Sequence, residues 1–286
     1  MKLLLNDVKW AHVEASSKCN AWCPACPRNV HGFGLAPGVI EQDLSPNRFE
    51  EIISGLPSLY AVQFCGNLGD PIASSYITDL VEISKKYAKK IQIHTNGSLR
   101  NTAWWGEFAE LLSDINHDVW FGIDGLSGVH EIYRQGTDFD KIIKNAQAFI
   151  EKGGIATWQF IPYKHNEHQV LKCLKLSQEM KFKNFHVAKL YREKTLARHY
   201  KTGQEFDLLP TDSMRSLINI DRAKIDVDPK NCMHLTMPSI YVSAAGNISQ
   251  CCYLALTRMQ TYQDVESLLN AGTDLTNKIC IRSCGQ

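Results

Sequence analysis

Strand-like and helix-like segments alternate along the first two thirds of the chain. Short apolar runs typical of buried strands are separated by longer segments with the apolar period of helices. The predicted strands cover residues 8–16, 59–66, 91–97, 117–125, 155–163 and 184–190, and the predicted helices cover residues 46–56, 76–90, 103–115, 139–153 and 167–180. Because each connection is long enough for a crossover helix, the strands are predicted to form a parallel sheet of an α/β protein, either open or closed into a partial barrel. A ligand is then expected in the loops that follow the strands.

The charge balance argues against nucleic acid and membranes as partners. The 286 residues include 31 basic and 30 acidic side chains, which leaves a formal charge of +1 and no overall field that would attract a polyanion. The N-terminal MKLLLNDVKW contains too short an apolar run for a signal peptide, and no run of about 18 apolar residues follows. We therefore expect a cytoplasmic protein.

The ten cysteines are clustered along the sequence. A reducing cytoplasm disfavours disulfides, so clustered thiols there favour metal binding or redox chemistry. Cys65 and Cys173 are isolated, and Cys173 is predicted to be a small buried apolar residue of a helix. The other eight form two groups, the first with Cys19, Cys23 and Cys26 and the second with Cys232, Cys251, Cys252, Cys280 and Cys284.

The first group lies in KCNAWCPACPRN, directly after the first predicted strand, with C-x3-C-x2-C spacing. Three thiolates can hold three irons of a 4Fe-4S cluster and leave the fourth iron open for a small chelating molecule. A zinc ion bound by the same thiolates and His31 is the alternative. The spacing alone leaves both possibilities open.

Three further polar or glycine-rich stretches follow the next three predicted strands. They are GNLGDP at 66–71, TNG at 95–97 and GIDGLSGVHEIYRQG at 122–136. Each stretch alone is typical of a turn. In a parallel sheet, however, all three would meet the cysteine loop at the same edge.

These stretches together resemble the radical S-adenosylmethionine (SAM) superfamily over essentially the whole chain. CNAWCPAC resembles the family's cluster loop, GNLGDP is similar to its Gly-Gly-Glu-Pro motif, and the TNG and 122–136 segments resemble its strand-three and strand-four signatures. The resemblance implies a partial TIM-like barrel of six β/α units. It also implies that Cys19, Cys23 and Cys26 hold a 4Fe-4S cluster, and that the reduced cluster cleaves SAM to methionine and a 5'-deoxyadenosyl radical.

The resemblance also implies a SAM site, in which some family residues are replaced. The residues at the corresponding positions of this chain are Ala25, Gly69, Asp70, Pro71, Asn96, Asp124 and Arg134. Ala25 stands where the family commonly has an aromatic residue, Asp70 replaces the motif's glutamate, and Gly122 replaces a frequent serine. Arg134 is a candidate partner for the SAM carboxylate, because a guanidinium forks onto a carboxylate; a surface salt bridge is the alternative.

The C-terminal cysteines predict a second metal site. Residues 239–245 and 247–253 are predicted to form a β-hairpin, and residues 262–272 a helix. The arrangement resembles the twitch domain, a shortened SPASM domain, which implies an auxiliary 4Fe-4S cluster; structural zinc is the alternative. Neighbouring residues of a strand point to opposite faces, so only one of Cys251 and Cys252 is expected to be a ligand. The G-x4-C spacing from Gly246 favours Cys251, with Cys252 as the alternative. The expected ligands are Cys232, Cys251, Cys280 and Cys284.

The predicted organisation has three parts. Residues 1–190 form the radical SAM partial barrel, residues 191–231 a bridging segment, and residues 232–286 a small α+β twitch domain. The stretch LYREKTLARHYKTGQEF at 190–206 is a candidate cover for the active site, with a solvated linker helix as the alternative. His165 and His168 lack the spacing of a helical metal pair and are predicted to be surface residues.

The predicted pair of 4Fe-4S clusters resembles the cofactor content of twitch enzymes such as the aminocyclitol dehydrogenases. This resemblance favours a radical SAM oxidoreductase acting on a small molecule. Only residues 1–7 precede the first predicted strand, so no N-terminal peptide-recognition domain is expected. The alternatives are a maturase that modifies a peptide or protein, and a non-catalytic zinc protein. An electron donor such as flavodoxin or ferredoxin is expected as partner. The candidate substrate contacts are Gln63, Cys65, Tyr163 and Tyr191.

Overall fold

The computed structural model describes residues 3–188, 194–211, 232–256 and 261–272. In chain order, the first part contains β1 (Trp10–Val13), α1 (Pro46–Ser54), β2 (Ala61–Phe64), α2 (Ile77–Tyr87), β3 (Lys90–Thr95), α3 (Thr102–Leu111), β4 (Asn116–Gly122), α4 (His130–Tyr133), α5 (Phe139–Glu151), β5 (Ala156–Phe160), α6 (Val170–Glu179) and β6 (Asn184–Val187). The remainder contains β7 (Thr195–Arg198), β8 (Glu205–Leu208), α7 (Met233–Thr236), β9 (Ser239–Val242), β10 (Ile248–Ser249), α8 (Cys252–Leu256) and α9 (Val265–Ala271). No helix in these ranges has the length and apolarity that crossing a membrane requires.

Strands β1 to β6 are parallel neighbours in one sheet, as the sequence predicts. The sheet has eight strands in the order β10-β9-β1-β2-β3-β4-β5-β6. The five long helices connect successive strands, as the crossover rule requires. The α/β class with a partial TIM-like barrel is therefore confirmed.

The two faces of the sheet differ in chemistry. In β3, Ile91 and Ile93 are fully buried, whereas Gln92 and His94 between and beside them keep some exposed surface. The apolar face joins aromatic side chains of the helices: Trp105 of α3 contacts Phe121 of β4 and Phe149 of α5 at 5.0 and 5.9 Å between ring centroids. This alternation with period two fixes the register and places polar side chains on the opposite face.

The C-terminal strands extend the sheet beside β1. Strand β9 runs parallel to β1, with Tyr241 opposite His12, and β10 pairs with β9 in antiparallel orientation. The predicted hairpin is therefore present, but its second strand is shorter than expected. It ends at Ser249, and Cys252 begins α8. The last predicted helix begins at Val265, where Asp264 caps it.

The bridging segment is a β-hairpin where the structure describes it. Strands β7 and β8 pair in antiparallel orientation, with Ala197 opposite Phe206. The alternative of a linker helix is therefore wrong for these residues. Ala197 and Leu208 are buried in one apolar cluster with Ala21 and Cys23 of the cysteine loop, so the hairpin packs against that loop.

Candidate functional site

The cysteine loop follows β1 and is held by short-range hydrogen bonds. Cys26 N donates to Cys23 O at 3.0 Å, and Asn29 Nδ2 donates to the same carbonyl at 3.1 Å. None of the three cysteines of the loop is in a disulfide; Cys23 is buried, and Cys19 and Cys26 are partly buried. The spacing seen in the sequence therefore becomes a short loop that carries three thiols outside any disulfide.

Burial governs the protonation of these thiols. It raises the pKa of Cys19, and the Asp70 carboxylate raises it further. It also raises the pKa of Cys23 to about 12, against the opposing effect of Arg134. Cys19 and Cys23 also interact with Cys26, so all three thiols share one environment. Cys19 and Cys23 therefore stay protonated at neutral pH unless a metal centre binds the thiolates.

The GNLGDP loop lies directly against the cysteine loop. A Cβ on Gly69 would stand 2.0 Å from Ser16 O, and a Cβ on Gly66 would stand 2.2 Å from Gly69 O. Asp70 N donates to Lys18 O at 2.9 Å. The two glycines are thus explained by close approach of backbone to backbone, which no other residue permits here.

Asp70 joins this loop to the TNG loop after β3. Its carboxylate accepts hydrogen bonds from Asn96 N at 2.7 Å, from Thr95 Oγ1 at 2.9 Å and from Ile72 N at 2.9 Å. Burial raises the pKa of Asp70, and these donors oppose the shift. Asp70 therefore positions two loops at once; its predicted contact with SAM stays a prediction.

The TNG loop in turn touches the cysteine loop. Asn96 Nδ2 lies 3.7 Å from Cys19 Sγ and donates to Asn20 Oδ1 at 3.0 Å. Asn96 Oδ1 accepts from Ser98 N at 2.9 Å, which fixes the orientation of the amide. The predicted meeting of these loops at one edge of the sheet is present in the structure.

Arg134 forms a buried ion pair rather than a surface salt bridge. Its Nε donates to Asp124 Oδ2 at 2.6 Å, and Asp124 is fully buried. Burial alone would lower the pKa of Arg134, but Asp124 raises it well above its usual value. A Cβ on Gly122 would stand 2.7 Å from Arg134 Nη2. Gly122, which replaces a serine of the family, thus leaves room for the guanidinium, which also hydrogen-bonds the Cys23 thiol.

The β7–β8 hairpin contacts the cysteine loop from outside. The Tyr200 ring stacks on Trp22, with 6.0 Å between centroids and 9° between planes. Tyr200 N donates to Gln135 Oε1 at 2.8 Å, and Arg198 N donates to His31 O at 3.0 Å. These contacts are consistent with the expected covering role. Within the described ranges, no group of three or more His, Cys, Asp or Glu side chains is arranged to bind a single metal ion. This holds for the groups that would include His31.

Comparison with solved structures finds proteins of the same fold, although no protein-family model and no curated protein matches the sequence. Streptococcus suis SuiB bound to S-adenosylmethionine superposes on 97% of this chain with a TM-score of 0.65 and 15% identity. SuiB bound to its precursor peptide SuiA gives a TM-score of 0.63 at 16% identity. Native anSMEcpe with bound AdoMet and Kp18Cys peptide gives 0.63 at 16% identity. The chain has the fold of the radical SAM enzymes.

The coverage of these radical SAM structures is unequal. The chain spans 68% of the SuiB chain with bound S-adenosylmethionine and 84% of the anSMEcpe chain. Both alignments cover 97% of this chain. At such low identity, the likeness concerns the fold.

The predicted substrate residues occupy different positions in the radical SAM fold. Gln63 Nε2 lies 3.2 Å from His94 Nε2 on the polar face of the sheet. Burial raises the pKa of the nearby Cys65 thiol to about 12. Tyr163 is buried and its ring lies 4.8 Å from that of Tyr133, so it forms part of the wall beside the cysteine loop. Tyr191 lies outside the described residues.

The two histidines of YKHNEH differ in exposure. His168 is exposed, as predicted, but His165 is partly buried and its ring stacks at 5.8 Å on Tyr163. Burial lowers the pKa of His165 to about 4, so it is neutral at physiological pH. The prediction that both are surface residues is wrong for His165.

Sequence reasoning missed a row of polar and aromatic groups on the inner face of the sheet. The His94 ring lies 4.7 Å from Trp120, which lies 5.1 Å from His186 on β6. Burial, assisted by His12, lowers the pKa of His94 to about 4, so its imidazole is neutral. The signal was present in strands such as QIHT, in which polar residues alternate with apolar ones.

Part of the C-terminal cysteine group is described. Cys232 and Cys251 interact electrostatically, and burial raises the pKa of Cys251. Cys252 interacts with Cys65 instead, as well as with Cys251. Neither cysteine lies on the predicted strand, because β10 ends at Ser249, so strand geometry does not separate Cys251 from Cys252. The interaction with Cys232 favours Cys251. Cys280 and Cys284 lie outside the described residues, so the four-thiolate set stays a prediction.

Proposed function

We propose that this protein is a radical SAM enzyme that binds a 4Fe-4S cluster through Cys19, Cys23 and Cys26. The observation that carries the proposal is a loop of three cysteines outside any disulfide, at the edge where the 66–71 and 95–97 loops also meet, in a chain with the radical SAM fold. When bound, the cluster supplies the electron that cleaves SAM and so generates a radical able to take a hydrogen atom from substrate.

The residues present fit such a cluster. Thiolates are the ligands that iron–sulfur clusters use, and three of them leave one iron for SAM. None of the three cysteines forms a disulfide. Gly69 and Gly122 allow the 66–71 loop and Arg134 to pack close beside these cysteines, because a side chain at either position would collide with Ser16 or with Arg134.

The chain's own residues would bind and orient SAM. Asp70 holds the 66–71 loop against Asn96, so the backbone that is expected to receive the SAM amino group is fixed in place. Arg134 donates to Asp124 from Nε, so N–H groups of its two terminal nitrogens would be available to the SAM carboxylate. Ala25 and Pro71 would supply only backbone and shape.

For the reaction, we propose oxidation of a small molecule with the help of an auxiliary 4Fe-4S cluster at Cys232, Cys251, Cys280 and Cys284. The resemblance to twitch enzymes supports this reading, and the proximity of Cys232 to Cys251 is compatible with it. An acidic carrier such as flavodoxin or ferredoxin would deliver the electrons.

A peptide substrate is the second candidate. It is favoured by the structural neighbours, since SuiB has been crystallised with its precursor peptide SuiA and anSMEcpe with the Kp18Cys peptide. Deuterated candidates of both classes would decide between them, because deuterium from the true substrate would appear in 5'-deoxyadenosine.

The test of SAM cleavage uses protein reconstituted anaerobically with iron and sulfide, then reduced with dithionite. We expect 5'-deoxyadenosine from the wild type and none from the triple variant in which Cys19, Cys23 and Cys26 are alanine. Cys173→Ala is the matched control, since Cys173 is a free, buried cysteine of α6. A triple variant that still cleaves SAM would refute the assignment, and a colourless zinc-filled wild type would favour the non-catalytic alternative.

A further inference from the structure

Glu14 is a buried carboxylate that contacts two separate parts of the molecule. It directly follows β1 and is 3% exposed. Its Oε1 accepts hydrogen bonds from Leu68 N at 2.6 Å and from Gly69 N at 3.3 Å. Its Oε2 accepts one from the Tyr241 hydroxyl of β9 at 3.1 Å, and the backbone of Ala244, just after β9, also hydrogen-bonds the carboxylate. One side chain therefore links the GNLGDP loop to the C-terminal strands.

Such a carboxylate is costly to bury. No ion pair of Glu14 occurs among the described residues, and its partners there are neutral donors. A buried charge is tolerated only when hydrogen bonds replace its hydration, and bonds to a charged acceptor are stronger than those between neutral groups. An apolar residue would fill the same space at lower cost, so the carboxylate is explained by the two elements it joins.

The geometry around the carboxylate makes it a defined joint. Tyr241 lies opposite His12 in the β1–β9 register, and the two rings meet edge to face at 5.0 Å. On the other side, Arg28 donates to Leu68 O at 3.2 Å, and Asn67 Nδ2 donates to Cys252 O at 2.9 Å. The loop is thus held between the barrel and the C-terminal strands, with Glu14 at the centre.

A cavity of about 460 Å³ adjoins this joint. Glu14, Asn67, Leu68 and Tyr241 all line it, together with residues of the 36–42 loop. The hydrogen bond between Tyr241 and Glu14 therefore lies at the wall of a space that water can enter. Loss of that bond would free the loop to move, because packing does not enclose it on that side.

We infer that Glu14 is a positioning residue that couples the C-terminal strand β9 to the loop that binds SAM. Through its two oxygens, the placement of Tyr241 sets the placement of the Leu68 and Gly69 amides, and with it the affinity for SAM. The inference rests on the proposed function for the identity of the ligand. The coupling between Tyr241 and the 66–71 loop is independent of that function.

The test is a double-mutant cycle with Glu14→Gln and Tyr241→Phe. Titration calorimetry of SAM into the reconstituted, unreduced enzyme gives the affinity, and amide hydrogen exchange of residues 66–71 without SAM gives the mobility of the loop. We expect about 10-fold weaker binding and faster exchange for Glu14→Gln, and smaller changes in the same direction for Tyr241→Phe. The double variant should be no worse than Glu14→Gln, because both changes break one joint.

The matched control is a tyrosine–glutamate pair far from the site. The Tyr87 hydroxyl donates to Glu50 Oε1 at 3.2 Å on the surface of α1 and α2, so Tyr87→Phe and Glu50→Gln should leave SAM affinity and loop exchange unchanged. A merely structural role of Glu14 would lower the melting temperature without changing the SAM affinity of the folded protein.

Three outcomes would overturn the inference. These are unchanged exchange of residues 66–71 in Tyr241→Phe, unchanged affinity in both single variants, and additive effects in the double variant. If Glu14→Gln does not fold, Tyr241→Phe still decides, since it removes one hydroxyl and leaves the ring. If the wild type binds no SAM, the proposed function fails, and the exchange measurement alone decides whether Glu14 couples the two elements.

Discussion

Replacing Asp124 by asparagine should strongly destabilise the protein. Asp124 is fully buried, and its carboxylate binds Arg134 Nε through Oδ2 and Ile161 N through Oδ1, both at 2.6 Å. Asparagine has nearly the same volume and can still accept the bond from Ile161 N. The substitution therefore removes the negative charge while keeping the shape and the bond from Ile161 N. Arg134 is left mostly buried without its counter-ion.

The expected cost is about 3 to 5 kcal/mol in the free energy of unfolding, the usual effect of removing one partner from a buried ion pair. The assay is urea unfolding of the metal-free protein under reducing conditions, followed by circular dichroism. Glu110→Gln is the control, since Glu110 and Lys152 form an exposed pair at 2.8 Å, and we expect no measurable change there.

A second variant separates the charge effect from simple misfit. In Asp124→Asn/Arg134→Leu the unpaired cation is gone, so part of the lost stability should return. If Asp124→Asn loses no more stability than Glu110→Gln, or if the double variant is less stable than the single one, the reasoning about this pair is refuted.

Two further predictions concern the loops around the site. Gly69→Ala should cost about 1 to 3 kcal/mol of unfolding free energy, because its Cβ would stand 2.0 Å from Ser16 O. Gly55→Ala is the control and should be tolerated, since the nearest atom to its Cβ would be 3.5 Å away. Equal urea midpoints for the two variants would contradict this prediction. Burial alone would raise the pKa of Asp43, but Lys18 and Ser16 lower it below its usual value. The free energy of unfolding of wild type should therefore exceed that of Asp43→Asn above about pH 4, and the difference should shrink at lower pH. Urea unfolding at a series of acidic pH values measures this difference. A difference that grows as the pH falls would contradict the assignment.

The sequence predicted the barrel strands and helices well because their apolar periods are strong. The predicted strands run two or three residues past the observed C-terminal ends of β1 to β5, since apolar residues continue into the buried loops. The β7–β8 hairpin was harder, because its strands have four residues each and are rich in charge. They are held by Ala197 and Leu208 beneath the cysteine loop, a contact that no local pattern reveals.

The candidate site was predictable to the extent that its chemistry is local. The spacing of Cys19, Cys23 and Cys26 lies within eight residues of the chain. Glu14 was missed because its partners Leu68 and Tyr241 are 54 and 227 residues away, so that its burial depends wholly on the fold. The pairing of Asp124 with Arg134, which explains Gly122, likewise needs coordinates.

The measurement that tests the central claim most directly is low-temperature EPR spectroscopy of the reconstituted, dithionite-reduced protein, with and without SAM. The account predicts a reduced 4Fe-4S signal whose shape changes when SAM is added, because the iron without a protein ligand would bind SAM. That SAM-sensitive signal should be missing in the variant with alanine at Cys19, Cys23 and Cys26. A wild-type signal that does not respond to SAM, or a SAM-sensitive signal that persists in the triple variant, would contradict the account.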